Sequence, residues 1–154
     1  MRVIGIDPGL QKTGYAVLEK NGNKFVILTS GLITTEKESI AQRLTFIYRK
    51  LVEIIDRFSP ALLAVESGFY SKNVDSLIKM SEVKGVVILA GSLKGLEVFE
   101  YSPAIVKKAI VGRGNATKEQ VRFMVEQITK EKIQKGFDVS DAVAIALCHL
   151  QRAG

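Results

Sequence analysis

Three apolar runs in this chain of 154 residues each meet a carboxylate at one end. Asp7 ends the first run, and Glu66 ends a run near the middle of the chain. Asp138 and Asp141 open the run that follows them near the C-terminus. Buried runs that meet an acid in three separate places indicate one polar site at the edge of a sheet. Clustered carboxylates repel one another unless a cation neutralises them, and hard oxygen ligands suit Mg²⁺ or Mn²⁺.

The order of apolar patterns and turn signals predicts ten elements, β-β-β-α-β-α-β-α-α-α. Strands are expected at 2–7, 13–19, 24–35, 61–66 and 96–101. Helices are expected at 39–58, at 74–93, from Pro103, after a Thr117 cap and from about Asp138. Asn21-Gly22-Asn23 is the hairpin signal between the second and third strands. We therefore expect an α/β fold with a five-stranded mixed sheet flanked by helices on both faces, as a single domain over 1–154.

The predicted topology brings the four acids together. The strands that end at Asp7 and Glu66 can lie side by side, so that both carboxylates leave the sheet at the same edge. Asp138 and Asp141 are three residues apart, which puts them on one face of a helix close to its N-terminus. Four carboxylates can hold two divalent ions, and such ions about 3.5–4 Å apart promote phosphodiester hydrolysis. The acids therefore predict nuclease chemistry.

Each acid also has a purely structural interpretation. Asp7 can cap a turn, Asp138 can be the N-cap of the last helix, and Asp141 can be an ordinary acid of its first turn. Glu66 is the hardest to explain in this way, because a glutamate seldom ends a buried strand without a function.

Positive charge is concentrated in one segment. The net charge of the chain is +6, and the segment 103–135 contains eight basic and three acidic residues, a net charge of +5. Such an excess favours a polyanion as partner, with nucleic acid the first candidate, although a solvated helix face has a similar composition. Lys107, Lys118 and Arg113 are candidates for phosphate contacts, since the lysines lie on predicted helices and the arginine in a glycine-rich turn.

An aromatic pair, Phe69-Tyr70, stands in the polar loop 67–73. Large aromatic side chains are costly to expose. Phe69 therefore either folds back onto its own core or acts as a wedge that unstacks a base step of a nucleic acid.

The composition gives no sign of a membrane protein. No apolar stretch reaches the ~18 residues needed to cross a bilayer, and we expect no signal peptide, because Met1-Arg2 leads directly into the first run. Cys148 is the only cysteine, which excludes an internal disulfide and fits a reducing cytoplasm. No partner is evident for Cys148 or for His149, the only histidine. We expect a cytoplasmic protein with no membrane partner.

Four sets of residues extend these observations. The first two are Ile4-Gly5-Ile6-Asp7-Pro8-Gly9 with Thr13-Gly14-Tyr15, and Val65-Glu66 with Phe69 and Lys72-Asn73. The other two are Phe99-Glu100-Tyr101 with Val106-Lys107 and Val111-Gly112, and Asp138-Val139-Ser140-Asp141-Ala142-Val143-Ala144-Ile145-Ala146. Together they resemble, in order and spacing and over almost the whole chain, the motifs of the RuvC-type Holliday junction resolvases.

This resemblance implies a ribonuclease H-like fold and a homodimer that cuts four-way DNA junctions. The cuts are paired, symmetric and dependent on Mg²⁺, with Mn²⁺ as a substitute and two ions per active site, and they serve recombination and repair. The branch-migration machinery is a further partner that the family implies. Residue by residue, the resemblance implies metal ligands at Asp7, Glu66, Asp138 and Asp141, and DNA contacts at Phe69, Lys72, Lys107 and Lys118. Asp138 is a histidine in some relatives, so this position tolerates other ligands.

The second predicted helix carries an apolar face that includes Leu77, Met80 and Val83. This face can pack on the core or on a second subunit. We expect Met80 in the core, although the family puts its dimer contact on this helix.

Three alternatives compete with a junction nuclease. The first motif is also found in the phosphate-binding hairpin of actin-like ATPases and sugar kinases, but those proteins need two lobes and a second glycine-rich motif. A binding module without cleavage is disfavoured, because clustered negative charge does not help to bind phosphate. A ribonuclease H-like nuclease that acts on RNA is the closer alternative, and the basic segment does not decide against it.

Overall fold

The computed structural model of the protein describes residues 1–68 and 73–153. Five strands occur within these residues: β1 (Arg2–Asp7), β2 (Lys12–Asn21), β3 (Lys24–Thr34), β4 (Leu62–Glu66) and β5 (Glu97–Tyr101). The same residues contain five helices: α1 (Ile40–Phe58), α2 (Val74–Leu93), α3 (Pro103–Val111), α4 (Lys118–Thr129) and α5 (Asp138–Ala153). The predicted order of elements is confirmed. No helix in the described part of the chain is long and apolar enough to cross a membrane.

The five strands form one mixed sheet in the order β3-β2-β1-β4-β5. β1, β2 and β3 form an antiparallel meander, whereas β1 pairs with β4, and β4 with β5, in parallel. At the predicted hairpin Gly22 has a φ of 61°, which glycine adopts without steric cost. Because β1 and β4 are parallel neighbours, their last residues lie at the same edge of the sheet.

Helices cover both faces of the sheet, as predicted. Ile4 of β1 belongs to a core cluster with Ile47 of α1 and Val87 of α2 on one face. Val3, the preceding residue, belongs to the cluster on the other face, with Val143 of α5. Successive residues of β1 therefore serve opposite layers, as the twofold period of a strand requires. The two layers hold β1 rigidly between them.

Reciprocal side-chain caps fix the starts of two helices. The Ser39 hydroxyl accepts a hydrogen bond from the backbone N–H of Gln42, whose side chain accepts one from the backbone N–H of Ser39. Thr117 and Gln120 form the same arrangement at the start of α4. The second cap fixes the position of Lys118, the first residue of α4.

Two glycines allow α5 to lie directly against the sheet. A Cβ atom at Gly14 of β2 would overlap the carbonyl oxygen of Asp138, and one at Gly5 of β1 would overlap that of Ala142. Neither neighbour is the flexible end of a side chain, so only glycine fits at these positions. The glycines of the first motif therefore bring the first turn of α5 close to the end of β1.

Candidate active site

Two of the predicted acids end neighbouring strands. β1 and β4 pair with Ile6 opposite Val65, so the next residues, Asp7 and Glu66, stand side by side. Their carboxyl groups are hydrogen-bonded to each other, which requires a proton between them. Burial, and then the proximity of Glu66, raises the pKa of Asp7 well above its ordinary value. Burial also raises the pKa of Glu66, although the bond to Asp7 opposes this shift. The two carboxyl groups are therefore joined by one shared proton.

α5 adds two further acids at the same edge. Asp141 has 16% of its side chain exposed, and burial raises its pKa although Lys118 opposes the shift. Asp138 is the first residue of α5 rather than its cap, because the carbonyl of Phe137 accepts the hydrogen bond from the backbone N–H of Asp141. The charge of Asp138 contributes to the raised pKa of both Asp7 and Asp141. We use the term acidic cluster for Asp7, Glu66, Asp138 and Asp141.

One ammonium group compensates part of this negative charge. Lys118 donates a hydrogen bond from Nζ to Oδ2 of Asp141 at 2.8 Å. Burial disfavours its charge, but the hydrogen bond and charge of Asp141, with the charges of Asp7 and Glu66, outweigh burial and raise the pKa of Lys118. Lys118 is therefore a protonated cation bound to the acidic cluster.

The chemistry of the acidic cluster suits a hard divalent cation. All four potential ligands are carboxylates, which Mg²⁺ and Mn²⁺ prefer, and burial, with a smaller contribution from the neighbouring acids, raises the pKa values of Asp7 and Asp141. As positioned, no group of three His, Cys, Asp or Glu side chains within 1–68 and 73–153 is arranged to hold a metal ion. In this arrangement Asp7 and Glu66 bind each other, and Asp141 binds Lys118 through Oδ2. The other oxygen of Asp141 stays available as an acceptor.

A cavity of about 230 Å³ opens beside the acidic cluster. Its charged part consists of Glu66, Asp141, Lys107 and Lys118. Apolar side chains from α2, α3, α4 and α5 form the remainder: Met80, Pro103, Val106, Val121, Ala144 and Ile145. A group that enters this cavity meets both charges and an apolar wall.

Met80 does not lie in the core, so the sequence prediction for this residue is wrong. Its side chain is half-buried and lines both the cavity beside the acidic cluster and a second one of about 490 Å³. The buried residues of α2 begin one turn later, at Val83, and continue to Gly91. The first turns of α2 therefore lie beside the site rather than over the sheet.

The predicted DNA-contacting residues have different positions. Lys107 and Lys118 line the cavity beside the acidic cluster. Arg113 is exposed in the turn that follows α3 and does not line this cavity. Phe69 and Lys72 lie outside the described residues. Of the three that the structure describes, Lys107 and Lys118 are therefore next to the carboxylates.

His149 has a partner that the sequence did not reveal. Its Nδ1 atom lies 2.7 Å from the hydroxyl of Tyr101, and both side chains are buried. No partner of His149 was evident in the sequence, and the fold supplies one from 48 positions away. Cys148 is a buried free thiol.

Residues 3–149 match a protein family described as crossover junction endodeoxyribonuclease RuvC. The chain belongs to the RuvC family. A RuvC from Finegoldia magna is 45% identical over 152 residues, which are 97% of this chain and 93% of the relative. A RuvC from Geotalea uraniireducens is 43% identical over 150 residues, which are 97% of this chain and 88% of the relative. Membership of the RuvC family covers almost the full length of the chain.

Solved structures agree with this family. The structure of Thermus thermophilus RuvC matches with a TM-score of 0.89 at 34% identity, over 99% of this chain and 95% of that one. The same RuvC in complex with Holliday junction substrate matches with a TM-score of 0.93, over 99% and 94% of the two chains. The yeast mitochondrial Holliday junction resolvase shares the fold, with a TM-score of 0.71 at 13% identity. The predicted ribonuclease H-like fold is confirmed.

The RuvC family also decides the interpretation of the first motif. Its glycines resembled those of a phosphate-binding hairpin in actin-like ATPases and sugar kinases. Of the two glycines in that hairpin pattern, Gly9 and Gly14, it is Gly14 that accommodates the backbone of α5, as Gly5 earlier in the motif also does. The motif therefore brings carboxylates together at the end of β1.

Proposed function

We propose that this member of the RuvC family is a Mg²⁺-dependent endodeoxyribonuclease that resolves four-way (Holliday) DNA junctions. The observation that carries the proposal is the acidic cluster, in which Asp7, Glu66 and Asp141 come from three separate elements and interact with one another. Buried like charges destabilise a fold unless they are neutralised, so their convergence indicates a function. A relative solved in complex with Holliday junction substrate supports the choice of DNA.

The four carboxylates of the acidic cluster are the proposed metal ligands, for two Mg²⁺ ions that Mn²⁺ can replace. When bound, such ions activate the attacking water and stabilise the leaving oxygen of the phosphodiester. The proton shared by Asp7 and Glu66 has to leave before both can act as ligands, whereas Asp141 can keep Lys118 on Oδ2 and offer its other oxygen to the ion. Asp138, which interacts with the others through charge alone, is the ligand most open to replacement.

Lys107 and Lys118 are the proposed phosphate contacts at the cleavage site. Both line the cavity beside the carboxylates, and the side chain of Lys118 is 57% exposed. Ammonium groups bind the phosphate backbone whatever the base sequence, so these residues supply affinity rather than sequence preference. Arg113 extends the basic surface beyond α3. Phe69 as a wedge and Lys72 as a backbone contact remain predictions.

Paired and symmetric cuts need two active sites, and we infer a homodimer formed through α2. Four large apolar side chains of this helix are more than half exposed: Val74 (70%), Ile78 (53%), Leu89 (52%) and Leu93 (63%). Their spacing of four, eleven and four residues keeps them on one side of the helix. An exposed apolar stripe of this kind is typical of a protein–protein contact, and a second copy of the chain supplies a matching stripe.

The substrate also suggests the cellular role. A four-way junction joins two recombining duplexes, so its cleavage serves recombination and repair. The machinery that moves the branch point is a further proposed partner. A cytoplasmic location fits both the DNA substrate and the free thiol of Cys148.

The test is cleavage of a synthetic four-way junction with Mg²⁺, beside a linear duplex of the same sequence and an RNA–DNA hybrid. We expect paired nicks at symmetric positions in the junction and none in the other substrates. Asp7→Asn should abolish the nicks and still bind the junction. Asp75→Asn is the matched control, because Asp75 is an exposed acid paired with Lys79 on α2.

Two outcomes would contradict the proposal. Cleavage of the hybrid without cleavage of the junction would indicate a nuclease that acts on RNA. Cleavage by Asp7→Asn at the rate of the wild-type protein would show that the acidic cluster takes no part in the reaction.

A further inference from the structure

A buried polar pair joins α5 to β5 on the side of the sheet that carries the acids of α5. The Tyr101 hydroxyl and His149 Nδ1 are 2.7 Å apart, and the residues are 9% and 6% exposed. The ring of Phe99 lies against His149, with 4.6 Å between ring centroids, and the Arg152 guanidinium lies 5.7 Å from the centre of the Tyr101 ring. Burial lowers the pKa of His149, so the imidazole is neutral at neutral pH. The pair is therefore held in one geometry by its surroundings.

The backbone of Tyr101 lies beside that of Glu66. The two residues are paired in the parallel register of β4 and β5. The carbonyl of Tyr101 also accepts a hydrogen bond from the backbone N–H of Ser67, at 2.9 Å. Ser67 is the first residue after β4, at the point where the chain turns away from the sheet. Tyr101 thus holds the backbone on the C-terminal side of Glu66.

His149 and Asp141 both belong to α5. The two residues are eight positions apart on one face of a continuous helix, about 12 Å along its axis. An α-helix is stiff over two turns, so a contact at His149 limits the rotation and sliding of Asp141. Tyr101 therefore contacts elements that carry two different carboxylates of the acidic cluster.

We propose that Tyr101 and His149 are positioning residues that set the separation between Glu66 and Asp141. The inference rests on the proposed metal-dependent function, because a shared ion requires its carboxylates at fixed distances. Their effect is exerted through the backbone, by way of the Ser67 hydrogen bond at the end of β4 and by way of α5. A core pair without this role would affect the stability of the whole fold and nothing else.

The first measurement is amide hydrogen exchange of the metal-free protein. Tyr101→Phe removes one hydroxyl and leaves His149 without its partner, which should loosen the end of β5. We expect the Ser67 N–H to exchange about fivefold faster or more. The Ala61 N–H, bonded to the Arg2 carbonyl at the other end of β4, is the internal control and should change less than twofold by the same estimate. Equal acceleration at both amides, or none at Ser67, would overturn the proposal.

The second measurement is the rise in melting temperature when Mg²⁺ alone is added. Tyr101→Phe and His149→Leu should need about tenfold more Mg²⁺ for the half-maximal rise, as for other residues that orient metal ligands. His149→Asn carries a polar atom close to the position of Nδ1 and should recover most of the wild-type response. Failure of this rescue, or an unchanged Mg²⁺ requirement in Tyr101→Phe, would show that the pair only packs in the core and does not position the metal ligands. If the wild-type protein nicks no junction, the proposed function fails, while hydrogen exchange at Ser67 still tests this inference.

Discussion

Nζ of Lys118 lies 2.8 Å from Oδ2 of Asp141, which joins the first residue of α4 to the first turn of α5. The start of α4 is fixed by the reciprocal cap between Thr117 and Gln120, so this ammonium group reaches Asp141 from a rigid backbone. Lys118 thereby holds positive charge beside carboxylates whose pKa values are raised by burial. The contact makes Lys118 a neighbour of both the metal ligands and the phosphate that we propose.

Lys118→Ala should reduce the rate of junction cleavage by about 10²-fold, the usual loss when one charge-stabilising donor is removed. The pKa of Asp141 should rise further, because the hydrogen bond that opposes the effect of burial is lost. The low-pH limb of the cleavage profile should then move to higher pH. The measurement is single-turnover cleavage at saturating protein over a pH series. Lys132→Ala is the control, because Lys132 is an exposed lysine of the same basic segment; equal losses in both variants would contradict a specific role.

Asp7→Asn should stabilise the metal-free protein at neutral pH. The pKa of Asp7 in the folded state is raised above its ordinary value of 3.8, so the folded protein binds more protons than the unfolded one between the two values. Its contribution to stability is therefore complete below about pH 4 and is lost as pH rises through the raised pKa. Asparagine lacks this titration, so the melting temperature of the variant should exceed that of the wild type at pH 7 and not at pH 4.

Added Mg²⁺ should reverse this order. A ligand that binds the folded state stabilises it, and the wild type has the carboxylate that Asp7→Asn lacks. We expect a Mg²⁺-dependent rise in melting temperature for the wild type and a much smaller one for the variant. A variant that is less stable than the wild type in metal-free buffer at pH 7 would contradict the raised pKa of Asp7.

The sequence was sufficient to predict the fold because its local signals agree with one another. Gly22 marks the hairpin, and Ser39 and Thr117 cap helices where the apolar periodicity begins. Asp7 and Glu66 were predictable as neighbours, since each ends a buried strand and parallel strands share an edge. These inferences need only the order of elements and the period of apolar residues.

Side-chain contacts that neither strand pairing nor a local pattern determines were not predictable. The partner of His149 is Tyr101, and no local pattern links a strand end to the fourth turn of a helix. Met80 was assigned to the core because its spacing from Val83 and Val87 fits a buried stripe. Periodicity gives the face of a helix, but it does not show where along its axis the helix leaves the sheet. That limit depends on the three-dimensional arrangement of α2.

Gly14→Ala should destabilise the protein and reduce cleavage together. The new Cβ would overlap the carbonyl oxygen of Asp138, and backbone cannot move aside as a side chain can. Overpacking of this kind costs about 2–3 kcal/mol, and it should push the start of α5 away from β1. Urea unfolding should give a lower free energy of unfolding, and the Mg²⁺ concentration for half-maximal cleavage should rise. Gly114→Ala is the control, because its Cβ would meet only ordinary contacts with Ala104.

Leu89→Lys should convert the proposed dimer into a monomer and uncouple the two cuts. Leu89 is 52% exposed on the apolar stripe of α2, so a lysine there adds charge to a contact without disturbing the core. Phe123→Lys is the matched control, since Phe123 is 59% exposed on α4, away from that stripe. We expect light scattering to show monomers for Leu89→Lys and dimers for Phe123→Lys. On a supercoiled plasmid with an extruded junction, the monomer should give single nicks where the dimer gives linear product. Dimers that persist in Leu89→Lys would locate the subunit contact elsewhere.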